Sequence, residues 1–138
     1  MGKIIALKGK GSSGKTTTIK LLPEILIQNG YKQNHGKYQP YGADFKDIFI
    51  KQGIKVGITS SGDTYDLVKD RLDEFIQENC DICICACRTS DRKPLGTIAA
   101  TQSFSGYTNE YIDKTYAQGE IQQKQANRAD ALTLFNKI

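Results

Sequence analysis

The sequence contains no long hydrophobic run. None of its apolar stretches approaches the ~20 residues needed to span a membrane as a helix, so no membrane partnership is expected. A hydrophobic signal core is missing too. Ile4 to Leu7 is too short for one, and a glycine- and lysine-rich stretch follows at once. Met1-Gly2 opens a myristoylation pattern, but Ala6 stands where a Ser or Thr is wanted. A cytoplasmic protein is expected. Charge of one sign is scarce: 19 Lys+Arg against 15 Asp+Glu leave a formal charge of +4, too small an excess to indicate nucleic-acid binding. Internal repeats, low-complexity tracts and linkers are absent. With 38% hydrophobic and 25% charged residues, the composition is that of a globular chain and not a disordered one. Its 138 residues suit a single domain spanning 1–138.

Metal-ligand patterns are thin. His35 is the only histidine, and Cys80 and Cys83 form a single C-x-x-C with no second pair to complete a zinc site. Side chains alternate along a strand, which puts Cys83, Cys85 and Cys87 on one face and Ile82, Ile84 and Ala86 on the other. The cysteines are therefore expected to be reduced, metal-free and buried as small hydrophobes.

What is present is an alternation of strands and helices. Lys3 to Leu7 reads as a strand buried on both faces. A helix is expected from Lys15 to about Asn29, with Asn29-Gly30 as its stop and Pro23 as a kink. Tyr31 to Ala43 reads as a polar, tyrosine-rich loop. Asp47–Lys51 and Ile54–Ile58 read as strands of a hairpin around Gln52-Gly53. An amphipathic helix follows, with Tyr65, Val68, Leu72, Phe75 and Ile76 on one face. Asp81–Cys87 is a buried strand, Arg88–Pro94 a basic loop and Thr97–Phe104 a short helix. Glu110–Ala117 reads as an edge strand. Glu120–Ile138 is a last helix with Ile121, Ala129, Leu132 and Phe135 inward. This order predicts an α/β fold, a three-layer sandwich around a mostly parallel sheet. Ligands of such sheets bind beyond the carboxyl ends of the strands.

Gly9-Lys10-Gly11-Ser12-Ser13-Gly14-Lys15-Thr16 matches G-x-x-x-x-G-K-[ST] in full, and Thr17 follows it. The spacing suits a triphosphate. The glycines let the backbone turn tightly and aim its N–H groups inward, and the N-terminus of the next helix faces the same anion. Lys15 reaches the β- and γ-oxygens, and the Thr16 hydroxyl is placed to ligate Mg²⁺. Lys15 is expected to be an exposed loop residue with little structural role.

On this motif, with a strand before it and a helix after it, the chain resembles the P-loop NTPase superfamily. The resemblance rests on residues 3–29 and, through element order, on the remainder. It implies the P-loop NTPase fold, nucleotide binding over Gly9–Thr17, and ATP with Mg²⁺ as cofactors. GTP is disfavoured because no N-K-x-D motif is present. Gly9-Lys10-Gly11 also resembles the deviant Walker A of the ParA/MinD group of ATPases. There a signature lysine at the place of Lys10 reaches across a homodimer. Ser12 departs from that pattern, and the alternative is that Lys10 occupies a variable position.

The superfamily commonly has an acid at the end of a strand beside the first, on the metal side. Asp63 is the candidate and Asp91 the substitute. Asp63 is equally read as the N-cap of the helix beginning at Thr64 or Tyr65. Arg88, Arg92 and Lys93 resemble in position the arginine-bearing lid of P-loop kinases, with a solvated basic loop as the alternative. Lys15, Asp63 and Arg88 are thus the candidate catalytic residues. Three functions remain open. They are an ATPase, a small kinase-like phosphotransferase with its acceptor near Tyr31–Asp44, and a regulatory or partner-binding module without turnover. The seven tyrosines would also suit a protein interface.

Overall fold

The computed structural model describes residues 2–11, 13–89 and 96–138. Along the chain these residues form β1 (Gly2–Lys8), α1 (Lys15–Ile19), α2 (Leu22–Gln28), β2 (Lys32–Gln33), β3 (Gln39–Tyr41), β4 (Asp44–Lys51), β5 (Ile54–Thr59) and α3 (Tyr65–Gln77). β6 (Ile82–Cys87), α4 (Thr97–Thr101), β7 (Tyr107–Asp113) and α5 (Glu120–Asn136) complete them. The strands make one seven-stranded mixed sheet in the order β2-β4-β5-β6-β1-β7, with β3 also paired to β4. β1 runs parallel to both β6 and β7, and β5 runs parallel to β6. The antiparallel pairs gather at the other edge, where β4 meets β2, β3 and β5. The sheet is mostly parallel, and the fold is mixed α/β.

Alternation along the strands builds two cores. Ile5, Leu7, Ile58, Ile84 and Ala86 face Ile19, Leu22, Leu26 and Leu134 of α1, α2 and α5. Ile4, Ala6, Cys83, Cys85 and Cys87 face Val68, Leu72 and Phe75 of α3 and Ala100 of α4. Helices covering both faces explain why β1 and β6 are apolar without interruption. Each large aliphatic residue buried this way is worth about 1.5–3 kcal/mol. The cysteine face is as the alternation predicts, and Cys80 is buried with it.

The hairpin forms as expected. Lys51 pairs with Ile54, and Gln52 and Gly53 have φ of 51° and 80°, the positive pair of a type I′ turn.

Several features differ from the expectation: β4 starts at Asp44 and not Asp47, and α4 stops at Thr101 and not Phe104. The first helix is not one kinked helix but two, α1 and α2. Pro23 stands in the first turn of α2, where a missing backbone donor costs nothing, and the chain re-enters the helix around it. The polar segment 31–43 contributes the short strands β2 and β3, drawn onto the open edge of β4. β7 begins at Tyr107 and ends at Asp113, because its register against β1 starts at Gly2. The inward face of α5 carries Asn127, Asp130, Ala131 and Leu134. Of the expected face, Phe135 packs on the core only partly buried, Ala129 and Leu132 are exposed, and Ile121 is 69% exposed. The polar part of that face packs against the turn between β1 and α1, where Asn127 Oδ1 lies 3.1 Å from where a Cβ on Gly14 would be.

Candidate functional site

The carboxyl ends of β1 and β5 and the start of α1 enclose a cleft of about 350 Å³. Gly11, Ser13, Gly14, Lys15, Thr16 and Thr17 line one side, and Ser60, Gly62 and Asp63 the other. The loop leaves β1 with the Gly9 N–H donating to the Cys87 carbonyl at 3.0 Å, which extends the β1–β6 pairing by one step. Gly14 then opens α1 in the left-handed conformation, φ 92°, which disfavours any side chain. A Cβ there would also sit 3.1 Å from Asn127 Oδ1, and one on Gly9 only 2.9 Å from Lys114 Cβ. Ser12 lies outside the described residues.

Lys15 is only 7% exposed, contrary to the expectation of an exposed loop residue. Its ammonium folds back over the loop, donating to the Gly9 carbonyl and, at 3.1 Å, to the Lys10 carbonyl. Burial lowers its pKa from the usual lysine value, and the neighbouring Arg88 guanidinium lowers it further. A buried cation satisfied by two neutral carbonyls is short of negative charge. Ser13 Oγ is buried with no hydrogen-bond partner among the described residues. Lys10 reaches neither group, and its Nζ lies 5.5 Å from the centre of the Tyr116 ring.

Thr16 Oγ1 donates to Asp44 Oδ1 at 3.2 Å, and Ser60 Oγ donates to the same oxygen at 2.9 Å. Asp44 starts β4; the sequence reading reached it only as the end of the acceptor segment Tyr31–Asp44 and gave it no part beside Thr16. No motif marks it, and only the pairing of β4 with β5 brings it to the loop. Asp63 and Arg88, 25 residues apart, come together: Arg88 Nη2 lies 3.4 Å from Asp63 Oδ1, and Arg88 Nε donates to the Asp63 carbonyl at 3.3 Å. The guanidinium lies over Gly11, with Nη1 3.1 Å from where a Cβ on that glycine would be. Asp63 is not the helix cap. Thr64 is, its side chain accepting from the Leu67 N–H at 3.3 Å. Asp91, Arg92 and Lys93 lie outside the described residues.

A second group missed by sequence reading supports the loop from behind. Asp130 accepts from Lys114 Nζ at 2.9 Å, the Thr115 N–H at 2.7 Å and Thr115 Oγ1 at 2.8 Å. Two turns earlier, Gln123 donates to Asn127 at 2.8 Å and accepts from the Ala117 N–H. The signal was in α5, where Gln123, Asn127 and Asp130 recur at helical spacing. Hydrophobic periodicity looks past such a polar stripe.

Among the described residues, no group of three or more His, Cys, Asp or Glu side chains is placed to hold a metal ion. No described helix is long and apolar enough to cross a membrane. Comparison of the chain with protein-family models, with curated proteins and with solved structures finds no match.

Proposed function

We propose that this chain is a cytoplasmic P-loop nucleoside triphosphate-binding protein, a three-layer sandwich that binds ATP with Mg²⁺ and acts on its β–γ bond. The observation that carries the reading is Lys15. A buried ammonium rests on two loop carbonyls, beside an unpartnered Ser13 hydroxyl, in a cleft whose rim holds a second cation, Arg88. Such a cleft favours an anion with many oxygens. A polyphosphate there accepts from the loop N–H groups, takes the Lys15 ammonium from the carbonyls and gives Arg88 an alternative to Asp63.

The donor set fits Mg²⁺, which prefers oxygen ligands and is usually held by one or two carboxylates together with phosphate oxygens and water. Thr16, with Asp44 or Asp63, would hold it. When bound, it would neutralise charge on the β- and γ-oxygens. Lys15 and Arg88 orient the same oxygens and stabilise charge that develops on them.

The binding module without turnover is favoured by one observation. β6, the neighbour of β1, ends at Cys87 and is followed by Arg88, with no carboxylate at that position. The homodimer implied by the ParA/MinD resemblance requires Lys10 to leave Tyr116, at a cost of about 0.5–1 kcal/mol for an exposed cation–π contact.

Thermal melts test the reading. Mg–ATP at 100 times its Kd should add about 2.7 kcal/mol of stability by mass action. No shift at millimolar Mg–ATP, with folded protein, overturns it. Phosphate release with and without acceptors then separates hydrolysis, transfer and binding alone.

A further inference from the structure

The two edges of the sheet are built differently. At one edge, β2 and β3 are only two and three residues long, and between them residues 34–38 bulge out opposite Asp47 and Ile48 alone. Lys32 sits in β2 and Pro40 in β3. Short strands, a bulge, a lysine and a proline are the usual means of keeping an edge from pairing with another chain. The other edge is β7, seven residues long with no proline, glycine, lysine or arginine. It pairs with β1 alone.

Hydrogen bonds at the two ends of the β1–β7 ladder fix which groups of β7 point outward. The Gly2 N–H donates to the Gly106 carbonyl, and the Lys114 N–H donates to the Lys8 carbonyl. Along a strand, residues that bond one neighbour alternate with residues that face the other side. The even-numbered residues from 106 to 114 therefore serve β1. The N–H and C=O groups of Tyr107, Asn109, Tyr111 and Asp113 face outward and have no backbone partner among the described residues.

We propose that β7 is the interface of a homodimer, pairing antiparallel with β7 of a second copy about a two-fold axis at Glu110. The inference is independent of the nucleotide reading. A two-fold dimer uses one patch twice, so the strand must complement itself. Only an axis at Glu110 engages its whole length. Tyr107 then faces the partner's Asp113, Thr108 the partner's Ile112 and Asn109 the partner's Tyr111. The four outward residues all fall in hydrogen-bonded pairs, which exchange two bonds each. The total of about eight lies within the ~10 ± 5 direct bonds of a typical interface. Charge fits as well. The one like-charged pair is Glu110 against its copy, and each carboxylate already has Lys137 at 3.1 Å and Lys3 at 3.9 Å. The axis thus carries two carboxylates among four ammonium groups, which offset their repulsion. Antiparallel pairing turns the two clefts to opposite ends of the joined sheet, so this dimer is distinct from one closed across a nucleotide by Lys10.

Sedimentation equilibrium of the full chain without nucleotide, together with disulfide trapping, tests the inference. The parent should sediment as a dimer at micromolar concentrations. Asn109→Pro removes one outward donor from each copy and touches no bond to β1, so it should raise the dimer Kd about tenfold or more. Thr108→Cys and Ile112→Cys chains should form an intermolecular disulfide on mild oxidation only when mixed. Opposite Cα atoms of a non-hydrogen-bonded pair lie about 4.5 Å apart, within reach of a disulfide, whereas two copies of residue 108 stand roughly 14 Å apart along the strand. The native cysteines are buried and do not compete. A monomeric parent overturns the inference. So does a dimer that Asn109→Pro, folded by circular dichroism, leaves intact. A dimer in which the mixed chains do not cross-link, or in which either chain cross-links as readily alone, overturns it too. If Asn109→Pro does not fold, the cysteine variants decide.

Discussion

Lys114 and Asp130 form an ion pair at 2.9 Å in which the lysine side chain has no solvent exposure. It stands directly behind Gly9 and Gly14. Taking both charges out of water is costly, and the three hydrogen bonds into Asp130 offset that cost. Removing one partner leaves the other charge buried alone. Asp130→Ala should therefore lower stability by about 3–5 kcal/mol. Denaturant melts would measure it. The double variant Lys114→Met with Asp130→Leu should recover most of the loss, and no recovery would show that the pair acts through more than charge.

Lys15→Met keeps most of the side-chain volume and removes the buried cation. The charge is disfavoured by burial in the apo protein, so the variant should be as stable as the parent at pH 7, or slightly more so. The lowered pKa gives the sign. The penalty on the charged form is fully present below the native pKa and is relieved as pH rises from there towards 10.5. The stability gain of the variant should shrink over that alkaline range. Its Mg–ATP thermal shift should vanish at every pH.

Asp63 and Arg88 give a pair of substitutions with opposite expectations for folding and function. Thr64 is the cap, and the Asp63 carboxylate side is 62% exposed, so Asp63→Asn should change stability by less than about 0.5 kcal/mol. A marked loss of Mg²⁺-dependent turnover at that small stability change assigns Asp63 to the metal side. Full activity transfers the role to Asp44. Arg88→Ala should lower kcat with little change in nucleotide affinity if the guanidinium acts on the transferring group. A loss confined to affinity would make it a ground-state contact.

The buried thiols set an alkaline limit. Burial pushes the Cys80 thiol up to about 12 and raises Cys83 and Cys85 as well. In the unfolded chain these groups ionise from about pH 9, while in the native protein they stay protonated. Stability is thus complete below about pH 9 and falls above it, by about 1.4 kcal/mol per pH unit for each thiol. Melts across pH 8–11 would show this as a steepening loss. Thiol reagents should react slowly with native protein and fast after unfolding, because thiolate at Cys80 is suppressed about a thousandfold. Stoichiometric zinc or iron in protein purified without chelator would contradict the reading of these cysteines as core.

Local chemistry made much of this legible. The glycine-rich turn from β1 into α1, β6 and the Gln52-Gly53 hairpin each follow from neighbouring residues, and so does the facial split of the cysteines. The contact of Asp44 with Thr16 was not legible, because the two are 28 residues apart and meet only through sheet pairing. The α5 face was misjudged for a related reason. Ile121 and Leu132 look like core by polarity, yet the helical phase that turns Asn127, Asp130, Ala131 and Leu134 inward leaves both exposed. Thr64 took the cap from Asp63 because either residue suits the position, and the choice depends on where α3 begins.

The pairing of β1 has a further meaning for how the protein is made. Its Lys3 aligns with Ile82 on one side and with Thr108 on the other, so every neighbour of the strand is encoded far downstream. Contacts this distant in sequence form slowly, since a long stretch of chain must be closed into a loop first. On the ribosome, β1 and the glycine-rich turn after it emerge before β6 and β7 and wait without those partners until both have been synthesised. β1 lacks both of its sheet neighbours throughout that interval, and the sheet around it can close only after Asp113 has left the exit tunnel.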